Sequence, residues 1–545
     1  MRRLLLTAAA IAFLAPVSAL AQSSSLPAPV DSQQLQNLDA WSVSALARNQ
    51  GALAPDLWAH SDGPTVGALI ARLPGTYESP AAQRLAQRVL FSGGQAPSGD
   101  AQGAVQERFE ALGRMGAADQ LAIMAAGAPD ALSDATISQY AAQAELARGR
   151  RAEACARGRG ATLGDNPPIF LVRLRAYCSA VTGDRAAADL ALEMGHGAAA
   201  DDAWYRAALA AAAGAPGPRP PAARYDNALS TQISLAAHLR PAAAGLSNAS
   251  TLALLALARS DEAPQPLRAQ AAAIALRRAA LPPAEARTIL AATPETVTRG
   301  GPPLLAVLRQ IGGAPGTVEA ATAIANLLRG AATSADFSAA ARFFRTEING
   351  LRTAPDAGAA MLLARAALIN GDLADAQRLT ASARQAGANE AALAPLDAAL
   401  AALAGIGGAE ATLALKRRID AGGPARQAAR DVSILAALGA QGDEATEVFL
   451  TASPPTGGVS ADTATMTALA DAVQRQAPGE IGLLAALALN PRPGRLNAES
   501  LTRAIGALRT AGLDADARRV AVEAILQGQP AAPARAPPRA PARTN

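Results

Sequence analysis

From residue 32 to residue 526 the chain repeats one pattern: apolar positions three and four apart for about ten to sixteen residues, then a short break rich in Gly, Pro, Asp or Asn. Residues at that spacing share one face of a helix, so the pattern predicts an all-α protein made of antiparallel helical hairpins. Residues 361–369 (MLLARAALI) are a clear instance. Asn370-Gly371 stops the helix there, because Gly enters the left-handed conformation that ends helices without steric cost. Asp372 is expected to cap the next helix, whose buried face carries Leu373, Ala376, Leu379 and Ala383. A Gly followed by a carboxylate cap recurs at Gly183-Asp184, Gly442-Asp443 and Gly512-Leu513-Asp514.

The strongest break is residues 214–221 (GAPGPRPP), where proline removes backbone donors and forbids helix continuation. It divides an N-terminal helical block, residues 22–213, from a C-terminal block, residues 225–526, with residues 214–224 as linker. A shorter break at residues 453–458 (SPPTGG) reads as a loop inside the second block. If the two blocks continue one superhelix, the linker is only a long inter-helix loop, so the chain holds one domain or two.

Composition narrows the class. Half of the residues are hydrophobic but only 3% are aromatic, and alanine makes up about a quarter of the chain, far above ordinary usage. Alanine costs a helix least and is depleted in strands, so the core is expected to be small side chains between closely approaching helices. The Gly turns, with alanine in the helix that folds back, resemble those of tetratricopeptide-type repeats, although the spacing of Gly183, Gly371, Gly442 and Gly512 follows no 34-residue period. The expected architecture is an irregular α-solenoid of divergent hairpins, a tetratricopeptide-like superhelix. The chain also resembles uncharacterised exported alanine-rich helical proteins of GC-rich Gram-negative bacteria. That resemblance rests on Cys155, on Tyr177-Cys178 with Gly183-Asp184, and on Leu508, Gly512-Leu513 and Ala517-Arg518; it implies no activity. Some such proteins are labelled antifreeze-like, but threonine here is sporadic and Arg and Pro interrupt any flat repeated face.

The two ends differ from the body. Arg2 and Arg3, an apolar run over residues 4–20 and the small residues Ala19 and Ala21 form a secretory signal with cleavage expected after Ala21. No cysteine stands just after the cleavage site, and no later stretch is long and charge-free enough to cross a membrane, so a soluble periplasmic or secreted chain is expected. Residues 527–545 are mainly Pro, Ala and Arg and read as a disordered tail. Its Arg535, Arg539 and Arg543 offer weak contact to an anionic surface. These ends hold five of the 49 basic residues and none of the 45 acidic ones, so the body is formally −1 despite a formal +4 overall. A nearly neutral body with scattered single arginines excludes a nucleic-acid-binding stripe. Lys416 is the only lysine; GC-rich codon bias accounts for the arginine preference.

An exported chain meets oxidising conditions, which makes Cys155 and Cys178, its only two cysteines, a candidate disulfide. Cys155 falls near the end of a helical stretch over residues 140–156, a Gly/Asn/Pro loop follows, and Cys178 falls in a helix over residues 169–181. Two antiparallel helices joined in this way bring the thiols together.

Catalytic patterns are absent from the sequence. His60, His196 and His238 are far apart, and no zinc, calcium or phosphate-loop motif occurs. Gly158 to Gly164 lacks the dinucleotide spacing and a preceding strand. Lys416, in the run Lys416-Arg417-Arg418, reads as part of a solvated helix face. Trp41, Trp58 and Trp204 read as packing anchors. Soluble lytic transglycosylases also carry an alanine-rich superhelix and a catalytic Glu-Ser pair, and Glu499-Ser500 occurs here. Asn497-Ala498-Glu499-Ser500 reads more simply as a first helical turn capped by Asn497. No catalytic residue, cofactor or metal site is therefore expected. The expected function is a non-catalytic envelope scaffold or adaptor for a protein or cell-wall partner. Two alternatives stand beside it: a peptidoglycan-acting enzyme or accessory subunit, and a structural protein tethered by its basic tail.

Overall fold

The structure, a computed structural model, describes residues 39–162, 168–193, 202–215, 221–241, 243–295, 301–312, 314, 316–352, 354–405, 407–490 and 492–527. The signal segment ending at Ala21, His196, and the tail arginines Arg535, Arg539 and Arg543 lie outside these residues. Among the described residues there are 27 α-helices and no β-strand, and no helix is long and apolar enough to cross a membrane.

Local chemistry sets the helix boundaries. Ser79, Asp134, Asn227, Ser250, Thr317, Asp356, Asp443 and Asn497 each accept a backbone N–H of the turn they precede, satisfying donors that have no intrahelical partner. The helix Ala357–Asn370 ends on Gly371 at φ 83°, and the chain reverses at once into Leu373–Gln385. Ala360, Leu363, Ala364 and Ala367 on the first helix are buried, as are Ala376, Leu379 and Ala383 on the second. Methyl groups at most of these positions let the two backbones approach closely over the full length of the hairpin, the most extensive helix pair in the molecule.

The chain also closes on itself. The helix Pro80–Phe91 packs against Pro478–Ala488 and Asp514–Gln527, with Leu85, Ala86, Val89 and Leu90 fully buried. Pro478–Ala488 presents two glycines to the N-terminal segment. A Cβ at Gly479 would stand 2.5 Å from the Trp58 ring, and one at Gly482 would stand 2.6 Å from Val89 Cγ2. The Gly479 N–H donates to the Leu57 carbonyl at 3.0 Å. At the opposite end of the docked helix the Ala81 N–H donates to Glu523 Oε2 at 2.7 Å, and Arg88 pairs with Asp516. Gln83 Nε2 and Arg84 Nη2 donate to the carbonyls of Arg278 and Ile369 at 2.6 and 3.3 Å. Helices from both sides of the proline-rich break therefore share one interior.

Two fully or nearly fully buried charges organise this region. Arg108, with no exposed surface, donates to the carbonyls of Leu90, Ala40, Val43 and Ser92 at 2.9, 3.0, 3.4 and 2.9 Å. It thus serves carbonyls at the end of Pro80–Phe91 and in the segment that precedes it, and burial lowers its pKa to about 10. Glu523 also accepts Gln527 Nε2 at 2.7 Å, and burial raises its pKa to about 7.

Several local expectations are corrected. The helix expected over residues 140–156 is two helices, Ala135–Ala147 and Arg151–Gly160, parted at Gly149 with φ 75°. Asp372 makes no capping bond; its carboxylate takes Arg345 and the Asn349 side-chain amide instead, because a guanidinium fork outcompetes a single backbone donor. Asp514 is itself the first residue of the helix Asp514–Gln527 and lies 3.7 Å from Arg509. The stop before Asp443 is Gly439, at φ 101°, and not Gly442. Arg418 is buried, so Lys416-Arg417-Arg418 is not wholly a solvated face.

Candidate functional site

Cys155 and Cys178 lie at disulfide distance, with Cα atoms 5.8 Å apart. They staple Arg151–Gly160 to Ile169–Val181, both thiols facing the core. Both cysteines are buried among the core side chains. Trp41 and Trp58 pack edge to face at 5.4 Å, and Trp204 Nε1 donates to the Ala222 carbonyl at 2.8 Å; all three are buried. His60 and His238 are exposed and lie far apart in the chain. Among the described residues no group of three or more His, Cys, Asp or Glu side chains comes together. Asn497 accepts the Ser500 N–H at 2.9 Å, so Glu499-Ser500 is the first turn of Ala498–Thr510. Glu499 is two-thirds exposed and pairs with Arg503 at 2.9 Å.

An open seam of about 840 Å³ lies between Glu390–Ala404 and Gly408–Asp420, bounded on one side by Leu373–Gln385. Small residues make its floor: Ala394, Ala398, Ala401 and Ala414. The two helices touch, burying Ala394 and Ala398, while Ala401 and Ala414 keep partial exposure in the seam. Gly408–Asp420 also packs on Ala425–Ala437, with Ala411, Leu415 and Arg418 buried. Arg418 Nε meets Asp431 Oδ2 at 2.8 Å, both side chains being almost fully buried, and burial raises the Asp431 pKa to about 6 against the lowering effect of Arg418. The opposite face of the helix is left uncovered, and Leu413 on it is 43% exposed.

The seam has a polarity. At one end Arg384 bridges Glu390 and Asp397 at 3.0 and 2.9 Å, while Glu410, Arg417 and Asp420 stand on the rim. Asp397 is pushed up by burial, with Arg384 pulling the other way. At the other end Ala401 and Ala414 also line a second hollow of about 190 Å³, into which Arg509 and Arg518 project beside Asp514.

Two other hollows are less defined as sites. One of about 730 Å³, lined by Ile274, Leu304 and Leu327, reaches Gly301 and so borders residues outside the described part. One of about 580 Å³ is lined by Asp119, Arg148, Arg259 and Glu285, which pair with one another at 2.8 to 3.0 Å.

The seam was not found by motif reading, since it contains no motif. Its sequence signals are Leu413 on a strongly charged helix and the glycines Gly405, Gly407 and Gly408, which separate that helix from its predecessor. Set against protein-family models, curated proteins and solved structures, the chain matches none.

Proposed function

We propose that this chain is an exported, non-catalytic scaffold or adaptor, an irregular α-solenoid of tetratricopeptide-like hairpins, that binds a protein or cell-wall partner in the cell envelope. The partner lies along the seam between Glu390–Ala404 and Gly408–Asp420. The observation that carries this reading is an open seam of about 840 Å³ in which the partly exposed Ala401 and Ala414 are flanked by the exposed Leu413 and charged rims. Apolar floor with polar rim is the anatomy of recognition surfaces, and a groove between helices suits an extended or helical segment of a partner. Glu499 favours the same reading over a lytic one. A glycosidic acid must be held protonated in a cleft, whereas Glu499 stands in solvent beside an arginine.

The test places a photo-crosslinking residue at Leu413 in intact cells, with Ile123, 47% exposed on the helix Ala118–Gly127, as the control. A discrete adduct at Leu413, absent at Ile123 and lost on adding Glu410→Arg and Asp420→Arg to the probe chain, is expected. The mass of the adduct separates a protein from a muropeptide. Equal adducts at both positions overturn the assignment. Release of soluble muropeptides from peptidoglycan by the pure chain, abolished in Glu499→Gln, overturns the non-catalytic reading.

A further inference from the structure

Beyond the seam's alanine floor, the adjoining hollow of about 190 Å³ has a different chemistry. It is walled by Ala401, Ala402, Gly405, Gly407, Leu435 and Gly439, and its charged members are Arg509, Arg518 and Asp514. Each arginine sits against a glycine in the left-handed conformation. A Cβ at Gly405, φ 66°, would stand 2.3 Å from Arg518 Cζ, and a Cβ at Gly439, φ 101°, would stand 2.9 Å from Arg509 Nη1. The two guanidiniums thus lie against backbone where a side chain would displace them.

Their partners differ. Arg509 Nη1 donates to the Ala437 carbonyl at 3.1 Å, and its Nε lies 3.7 Å from Asp514. Arg518 is half-buried and has neither a hydrogen-bond acceptor nor a carboxylate within ion-pair distance among the described residues. The contrast with its neighbours is informative, because Arg88, Arg384, Arg418 and Arg475 each hold a carboxylate. The helix Gly408–Asp420 begins at the same hollow on Gly407, with no side chain capping its first N–H groups. Its end adds positive potential to that of the guanidiniums, with Glu410 in the first turn facing the adjoining seam.

We propose that this hollow is an oxyanion site, in which Arg518, supported by Arg509, receives a carboxylate or phosphate group of the bound ligand. The site rests on the reading of the seam as a partner groove and names the chemistry at its basic end. A guanidinium presents its donors as a planar fork that matches either group. With Asp514 counted, the hollow is one charge positive, so a single oxyanion neutralises it. The space admits such a group together with several waters.

The experiment titrates the full mature chain with inorganic phosphate and, separately, with succinate, at constant ionic strength set by sodium chloride, and reads heat and melting temperature. Saturable binding of at least one probe is expected, and the probe that saturates distinguishes phosphate from carboxylate chemistry. Arg518→Gln is expected to weaken it by at least about tenfold, with Arg518→Lys intermediate because it keeps the charge and loses the fork. Gly405→Ala displaces the Arg518 guanidinium and is expected to weaken binding as Arg518→Gln does. Arg503→Gln, on the same helix as Arg509 but paired with Glu499, leaves binding unchanged. No saturable binding of either probe, or binding that survives in both Arg518→Gln and Arg518→Lys, overturns the site. The melting curves of the unliganded variants report folding separately. Crosslinking at Leu413 needs no small anion, so failure of either reading leaves the other measurable.

Discussion

Arg418 and Asp431 meet at 2.8 Å with their side chains 2% and 0% exposed, on two helices whose intervening turn contains Gly422 and Gly423. Asp431 Oδ1 has no donor, so the pair is bonded on one side only. Arg418→Met leaves a buried carboxylate without its cation and is expected to cost about 3 to 5 kcal/mol. Arg418→Met combined with Asp431→Leu is expected to recover most of that loss, measured as urea midpoints in a double-mutant cycle. If the double variant is no more stable than Arg418→Met, the pair is not the cause.

Glu523 makes stability depend on pH in a definite direction. Burial lifts it from 4.5 to about 7 in the folded chain. Above pH 7 both states are ionised and the fold carries the full cost of the buried charge. Between pH 7 and 4.5 the folded state takes up a proton that the unfolded state does not, so stability rises as pH falls. The shift corresponds to roughly 3 kcal/mol. Urea midpoints are expected to be higher at pH 5 than at pH 8, with Glu523→Gln flattening the slope between pH 5 and 7. Asp431, raised from 3.8 to about 6, leaves a residual slope of the same sign at lower pH. An unchanged slope in Glu523→Gln would refute the assignment.

Gly479 and Gly506 test what the closed packing demands. Gly479→Ala puts a methyl into the Trp58 ring and is expected to destabilise by about 1 to 3 kcal/mol, with red-shifted tryptophan fluorescence. Gly506, in the interior of Ala498–Thr510, has nothing within 4 Å of a built Cβ. Gly506→Ala is expected to stabilise by about 0.5 to 1 kcal/mol through helix propensity.

Asp372 discriminates between capping and bridging. The Asp372 side chain does not cap the helix, and neither serine nor alanine can hold Arg345, so Asp372→Ser and Asp372→Ala are expected to lose similar stability, about 1 kcal/mol. Full retention by serine, read from thermal melts, restores the capping role.

The Cys155–Cys178 bridge closes an interval of 23 residues, worth about 3 kcal/mol on the chain-entropy model. Unreduced, thiol-blocked protein is expected to show no alkylated cysteine by mass spectrometry, and Cys155→Ser with Cys178→Ser to melt at a lower temperature.

What the sequence made legible was local. Helical periodicity, the Asn497 cap, the Gly371 turn and the helix over residues 169–181 each depend on neighbours within a few positions, and each was readable from spacing. Arg418 shows why the rest was not. Its flanking residues Lys416 and Arg417 are exposed, and nothing within its own helix distinguishes the one arginine that turns inward to Asp431. Glu523, Gly479 and Gly405 acquire their roles from residues remote in sequence, Ala81, Trp58 and Arg518. Hydrophobic pattern carries no information on such pairings. The seam escaped for a related reason: alanines that line an open groove and alanines that seal a hairpin are the same letters.

The bond between Ala81 and Glu523 joins residues 442 apart, and this has a consequence for biosynthesis. A ribosome delivers Ala81 442 residues before Glu523, so one partner surface of Pro80–Phe91 exists only once Asp514–Gln527 has been made. Until then Leu85 and Val89 have no lasting cover. A nascent chain therefore carries Pro80–Phe91 without that cover until Asp514–Gln527 is made, and a chain cut before Asp514 would expose the face permanently.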